Sequence, residues 1–224
     1  MLTPKFDLFV FDWDGTIMDS TTSIAQSIER ALTEMGYEAP DFEKTKSVIG
    51  LGWTAAILTL APDMTEEKMD AFNTIFRRYY VKSVDDFRFF PGMKELLVNM
   101  HNGGCRLAVA TGNGRRGLTR LFNKSGIGDI FEASVTPNET LSKPNPEMLF
   151  KLSEMTGVDV SQMVMVGDTS HDIQMAKNAG AAAVAVSYGA FPADALKAFH
   201  VPVCANVTEL AAALGVEEFL PKNN

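Results

Sequence analysis

Asp12 and Asp14 stand one residue apart in "FVFDWDGTIMDS" (9–20), at the end of an apolar run. The run Phe6 to Phe11 reads as a strand buried on both faces, so a carboxylate at its end is desolvated, which is costly without a partner. A turn explains Asp14-Gly15. It does not explain Asp12, which still sits on the last pleat. Two more acids, Asp168 and Asp172 in "GDTSHD", follow another apolar run, "MVMVG" (163–167). A third run, "CRLAVA" (105–110), ends in "TGNG" (111–114), which offers the Thr111 hydroxyl and the backbone amides of Gly112 and Asn113 before a helix. Lys143 lies in "LSKPNPEM" (141–148), its direction set by Pro144 and Pro146. Clustered carboxylates repel unless a hard cation binds them, and an oxygen-only set with few protein ligands suits Mg²⁺. A hydroxyl, a helix N-terminus and a lysine suit a phosphate oxyanion. A carboxylate between metal and phosphate is a candidate nucleophile.

These residues meet only if the runs are neighbouring parallel strands, because ligands of open parallel sheets bind outside the strands' carboxyl ends. Five runs fit: 6–11, 105–110, 131–135, 163–167 and 181–186. Helical patterns fill the intervals over 92–100, 117–124, 147–155 and 169–178, the alternation expected of βαβ units. The spacing therefore predicts an α/β fold, a three-layer α/β/α Rossmann-like core with a parallel sheet. From Ile17 to Asp86 the rhythm changes. Ile24, Ile28, Ala31, Leu32 and Met35 recur at helical spacing, as do Met69, Phe72 and Phe76, and no strand pattern shows. The expected organisation is a core of 1–16 and 87–224 carrying an inserted all-helical cap of 17–86.

The bulk properties narrow the function further. The chain has 224 residues, 46% of them hydrophobic, and a net charge of −8. That balance argues against a nucleic-acid surface and suits a protein that recruits cations locally. No stretch approaches the roughly 20 apolar residues needed to span a bilayer. No signal-peptide pattern opens the chain, and its two cysteines, Cys105 and Cys204, have no metal-type spacing. A cytoplasmic protein without membrane contact is expected.

In order and spacing, "DWDGT", "ATGN", "SKPNPEM" and "GDTSHD" resemble the four motifs of the haloacid dehalogenase superfamily. "FDWDGTIMDS" and "ATGNGRRGL" are similar to its phosphoglycolate phosphatase-like subgroup, and the insert resembles its small helical cap. The resemblance covers nearly the whole chain. It implies a Mg²⁺-dependent phosphatase acting on a small phosphorylated metabolite, 2-phosphoglycolate or a similar monoester, through an aspartyl-phosphate. A sugar-phosphate or nucleotide phosphatase of the same superfamily is the alternative. Asp12 would be the nucleophile and Asp14 the general acid/base. Mg²⁺ would bind Asp12, the carbonyl of Asp14, and Asp168. Thr111, Gly112 and Asn113 would bind substrate, and Lys143 would neutralise charge and tether Asp12. Asp172 would orient Lys143 or a metal-bound water. The cap loop "IGLGWTA" (49–55) would enter the site, with Gly50 permitting close approach. Phosphonoacetaldehyde hydrolases carry a Schiff-base lysine where this chain has Trp53, and hexose-phosphate mutases carry a basic residue that "SIAQSIE" lacks. Both chemistries are disfavoured.

Plainer readings compete. Asp172 could be only a helix cap. His171 is expected at the surface, Arg115 and Arg116 on an exposed helix start, and the aromatic positions of 69–80 in the cap's own core. "GNGRRG" (112–117) has the G-x-G-x-x-G form of a dinucleotide site, which raises an NAD-dependent oxidoreductase as a rival. That rival needs an acid at the next strand end, where "VTPN" stands, and leaves four charged residues unexplained. A non-catalytic module on the same fold would be expected to lose Asp12 or Lys143.

Overall fold

The computed structural model describes residues 5–83 and 88–221. Its strands in chain order are β1 (Leu8–Phe11), β2 (Met18–Asp19), β3 (Arg88–Phe89), β4 (Leu107–Ala110), β5 (Ala133–Val135), β6 (Met163–Gly167), β7 (Ala182–Val186) and β8 (Val203–Cys204). The longer helices are α1 (Thr21–Glu34), α2 (Phe42–Ser47), α3 (Trp53–Leu60), α4 (Glu66–Ser83), α5 (Met93–Asn102), α6 (Arg115–Ser125), α7 (Glu147–Thr156), α8 (Ser170–Ala179), α9 (Ala193–Lys197) and α10 (Val207–Leu214). Six strands form one parallel sheet in the order β5-β4-β1-β6-β7-β8.

β1 is central, and its continuous apolar run follows from cover on both faces. Phe9 and Phe11 pack with Leu97, Leu118 and Leu210 of α5, α6 and α10. Leu8 and Val10 point the other way, onto Met148, Leu152 and Met175 of α7 and α8. The three-layer expectation holds. Register then fixes the site: Phe11 pairs with Val109 on one side and Val166 on the other. Asp12, Thr111 and Asp168 therefore leave the sheet at one edge.

Some boundaries shift for local reasons. The run at 105–110 becomes strand only from Leu107, because the Cys105 amide still donates to Met100 O at the end of α5. The run at 131–135 begins at Ala133, because the Phe131 amide closes a 3₁₀ turn on Gly128. Within the insert, α1 packs on α4 and on α2. The insert is not wholly helical, since β2 falls inside it and pairs antiparallel with β3. A two-residue strand is too short to show alternation, which is why no pattern revealed it. The expected boundary at 86/87 lies outside the described residues. Among those residues no helix is long and apolar enough to cross a membrane.

Candidate active site

The four acids gather at this edge and are buried: Asp12, Asp14, Asp168 and Asp172 expose 2%, 8%, 0% and 0% of their surface. Their partners give each a different job. Asp12 Oδ1 accepts from the Trp13 amide at 2.7 Å and from Lys143 Nζ at 2.9 Å. Asp12 Oδ2 accepts from no donor among the described residues and borders a small chamber of about 50 Å³. Asp14 is turned elsewhere: Ser20 Oγ donates to its Oδ1 at 2.5 Å and Asn113 Nδ2 to its Oδ2. Both Asp14 carboxylate oxygens thus have a donor from the protein.

Asp168 is held on both oxygens, by Thr16 Oγ1 at 3.2 Å and the Ala190 amide at 2.6 Å. Two glycines make room for it. A Cβ at Gly15 would stand 2.1 Å from Asp168 Oδ2, and one at Gly189 would stand 2.3 Å away. Gly15 also has a φ of +78°, a conformation side chains resist. Asp172 does both things the sequence allowed. Its Oδ1 takes Lys143 Nζ at 2.6 Å, and its Oδ2 takes the Thr169 amide and hydroxyl at 3.1 and 2.7 Å, capping α8.

Burial pushes Asp12 up to about 7, against the pull of Lys143. It also raises Asp14, with Ser20 and Asn113 opposing, and holds Asp168 well above the usual carboxylate range. The ammonium of Lys143 is disfavoured by burial, but Asp12 and Asp172 outweigh this and raise it. One lysine among four buried acids leaves negative charge uncompensated. Oxygens of Asp12, Asp168 and Asp172 lie within 4.8 Å of one another, a hard-oxygen set that fits a divalent cation.

The phosphate-type groups are also in place. Thr111 is buried and accepts the Asn113 amide on its Oγ1, at 3.2 Å. Thr111, Gly112, Asn113 and Gly50 line the same chamber as Asp12. The loop before α3 seals it. A Cβ at Gly112 would lie 3.3 Å from Leu51 O, one at Gly50 3.2 Å from Thr169 Oγ1, and one at Gly52 2.4 Å from Ser142 Oγ.

Three expectations change. His171 is half-buried, its edge against Phe191, because the 47–50 loop covers it. Arg115 is half-buried too: its guanidinium bonds Glu139 and Ser134, which turns it away from any phosphate. Phe72 is cap core as expected, but Phe76 and Tyr80 border a cavity. Ser20, Thr16, Gly189 and Ala190 were not singled out. Ser20 closes the motif "FDWDGTIMDS", whereas Ala190 acts through its backbone and leaves no signal in side-chain type.

The family model of the haloacid dehalogenase-like hydrolases matches residues 9–186. The chain belongs to that family. The phosphoglycolate phosphatase of Vibrio parahaemolyticus is 30% identical over 201 residues, covering 84% of this chain and 87% of that protein. The phosphoglycolate phosphatase of Pseudomonas syringae pv. tomato is 31% identical over 190 residues, covering 81% and 70%. The crystal structure of a predicted phosphoglycolate phosphatase from Haemophilus somnus 129pt shares the fold. Its TM-score is 0.85 at 24% identity, over 94% of this chain and 99% of that one. These likenesses place the chain among the phosphoric monoester hydrolases of the haloacid dehalogenase-like family. The chain's place in that family removes the dinucleotide reading of "GNGRRG".

Proposed function

We propose that the protein is a Mg²⁺-dependent phosphatase that hydrolyses a small phosphate monoester through an aspartyl-phosphate on Asp12. The observation that carries the reading is the asymmetry of one carboxylate. Asp12 Oδ1 is fixed by the Trp13 amide and Lys143, while Oδ2 is unpartnered among the described residues and borders the chamber of Thr111 and Gly112. That is the arrangement a positioned nucleophile needs.

Asp12, Asp168 and the carbonyl of Asp14 are the groups that would hold the metal. When bound, Mg²⁺ would neutralise phosphoryl charge and favour the ionised form of Asp12. Asp12 Oδ2 attacks phosphorus, and the ester oxygen leaves. The Thr111 hydroxyl and Gly112 amide hold phosphoryl oxygens in line, and Lys143 balances charge. Asp14 gives the leaving oxygen its proton, then takes one from the water that hydrolyses the aspartyl-phosphate. Its raised proton affinity supports the first of these tasks. Residues 17–86 act as the cap: the loop at Gly50 to Gly52 excludes water from the chamber, and the helices behind it meet the leaving group.

2-Phosphoglycolate, the ester for which the curated relatives are named, is the first substrate to assay. Asp12→Asn should lower turnover on the order of 10⁴-fold or more with the fold retained, and excess EDTA should abolish activity. A chiral, isotopically labelled phosphate ester transferred to an acceptor alcohol should keep its configuration at phosphorus. Inversion would demote Asp12 to a metal ligand.

A further inference from the structure

Beside the small chamber lies a larger one of about 330 Å³, and the two share Ile24, Trp53, Gly112 and Asn113. The larger space is within the range of small-molecule pockets. Glycolate, with two carbons and three oxygens, would leave most of it to water.

The lining has two characters. From the insert come Trp53, Phe76 and Tyr80. Trp53 and Phe76 have ring centroids 4.5 Å apart, and Phe76 stacks on Tyr80 at 5.3 Å with 20° between planes. Trp53 Nε1 donates to Asn73 Oδ1 at 2.6 Å, which locks the indole in place. From the core come Gly112, Gly114, Gly117 and Pro137. Asn113 and Asn138 stand among them, so this wall is glycine backbone at the start of α6 with two side-chain amides. Aromatic surface on one side and glycine backbone with two side-chain amides on the other suit a planar ring with polar edges, which gains dispersion and stacking that an acyclic group cannot.

Arg77 adds a polar handle. It borders the larger chamber, is exposed, and makes no hydrogen bond or ion pair among the described residues. Its neighbour Arg78, by contrast, is paired with Glu34. A planar guanidinium at the mouth suits acceptors on a ring edge.

We propose that the leaving group is a primary alcohol carrying a planar heteroaromatic ring, with the ring against Trp53 and Phe76 and Arg77 donating to its edge. This rests on the phosphatase reading above. Two sources share that chemistry, the nucleoside 5′-monophosphates and the phosphorylated pyridine alcohols.

The test measures kcat/KM with Mg²⁺ for 2-phosphoglycolate, the common nucleoside 5′-monophosphates and pyridoxal 5′-phosphate. It compares the native protein with Phe76→Leu and Arg77→Gln. At least one ring-bearing ester should exceed 2-phosphoglycolate by about tenfold or more, and in Phe76→Leu the ratio of the two should fall about tenfold. Whether a nucleotide or the pyridine ester leads identifies the source. A ratio is used because a misfolded fraction cancels from it, and Arg77→Gln, at an exposed position, should lower the same ratio. 2-Phosphoglycolate equalling every ring-bearing ester, or unchanged ratios in both variants, would overturn the proposal while leaving a phosphatase. Hydrolysis of no ester would overturn both readings.

Discussion

On the core side of the cavity, among the described residues, seven of the eight carboxylate oxygens of Asp12, Asp14, Asp168 and Asp172 have a donor, the exception being Asp12 Oδ2. On the cap side, the Trp53–Asn73 bond orients a largely aromatic wall, and Arg77 has no partner among the described residues. The core side is over-determined, as reacting groups must be when small displacements lose rate. The cap side is shaped mainly by packing, which selects by fit. Under the proposed function, chemistry and selectivity would be held by different kinds of interaction.

The comparison breaks if removing a polar partner costs the same on both sides. Lys143→Met should be the most damaging such change, because it strands buried acids. A loss of about 3–5 kcal/mol in denaturant unfolding at pH 8 is expected, shrinking at pH 5 as the acids take up protons. An effect below 1 kcal/mol at pH 8 would show that water or relaxation compensates them.

Next in size is the response to the metal. The carboxyl of Asp12 lies near 7 in the folded chain against 3.8 for the free side chain. Between these values the folded state binds the extra proton, so its stability falls as pH rises through that window. Asp14 and Asp168 act in the same direction. A cation that binds the ionised cluster reverses the loss. Mg²⁺ at about a hundred times its Kd should stabilise the fold by about 3 kcal/mol at pH 8, and by far less at pH 5. Equal gains in Tm at both pH values would place the metal away from these acids.

Smallest is the cap counterpart. Asn73→Ala removes the acceptor of the Trp53 indole and should cost about 1 kcal/mol, with kcat for an ester that does not reach the larger chamber unaffected. A cost as large as that of Lys143→Met would erase the distinction between the walls.

The core side was legible in the sequence because its residue types are anomalous where they stand. An acid such as Asp12 ending a buried strand has to be explained by a partner, and Pro144 and Pro146 mark Lys143 as held in one direction. The parallel sheet was legible for a related reason: strands covered on both faces are written as unbroken apolar runs. What escaped was short or made of backbone. Met18–Asp19 and Val203–Cys204 are two-residue strands with no room for a period. Ala190 holds Asp168 through its amide. Phe76 and Tyr80 carry the same helical spacing as the buried Phe72, and spacing alone does not separate a side chain that fills a core from one that borders a cavity.

The clasp around Asp168 has a consequence for synthesis. Its donors are Thr16, near the start of the chain, and Ala190, close to the end of the sheet's coding sequence. β1 is made first, yet its neighbours β4 and β6 arrive only as the chain reaches Ala110 and Gly167. Such distant pairings delay closure, because long loops must be organised before their contacts stabilise anything. Until the ribosome has added residues through Gly167, the strand that leads to Asp12 and Asp14 lacks its β6 partner. The Asp168 clasp therefore closes late in synthesis, and any product truncated before Ala190 lacks part of it.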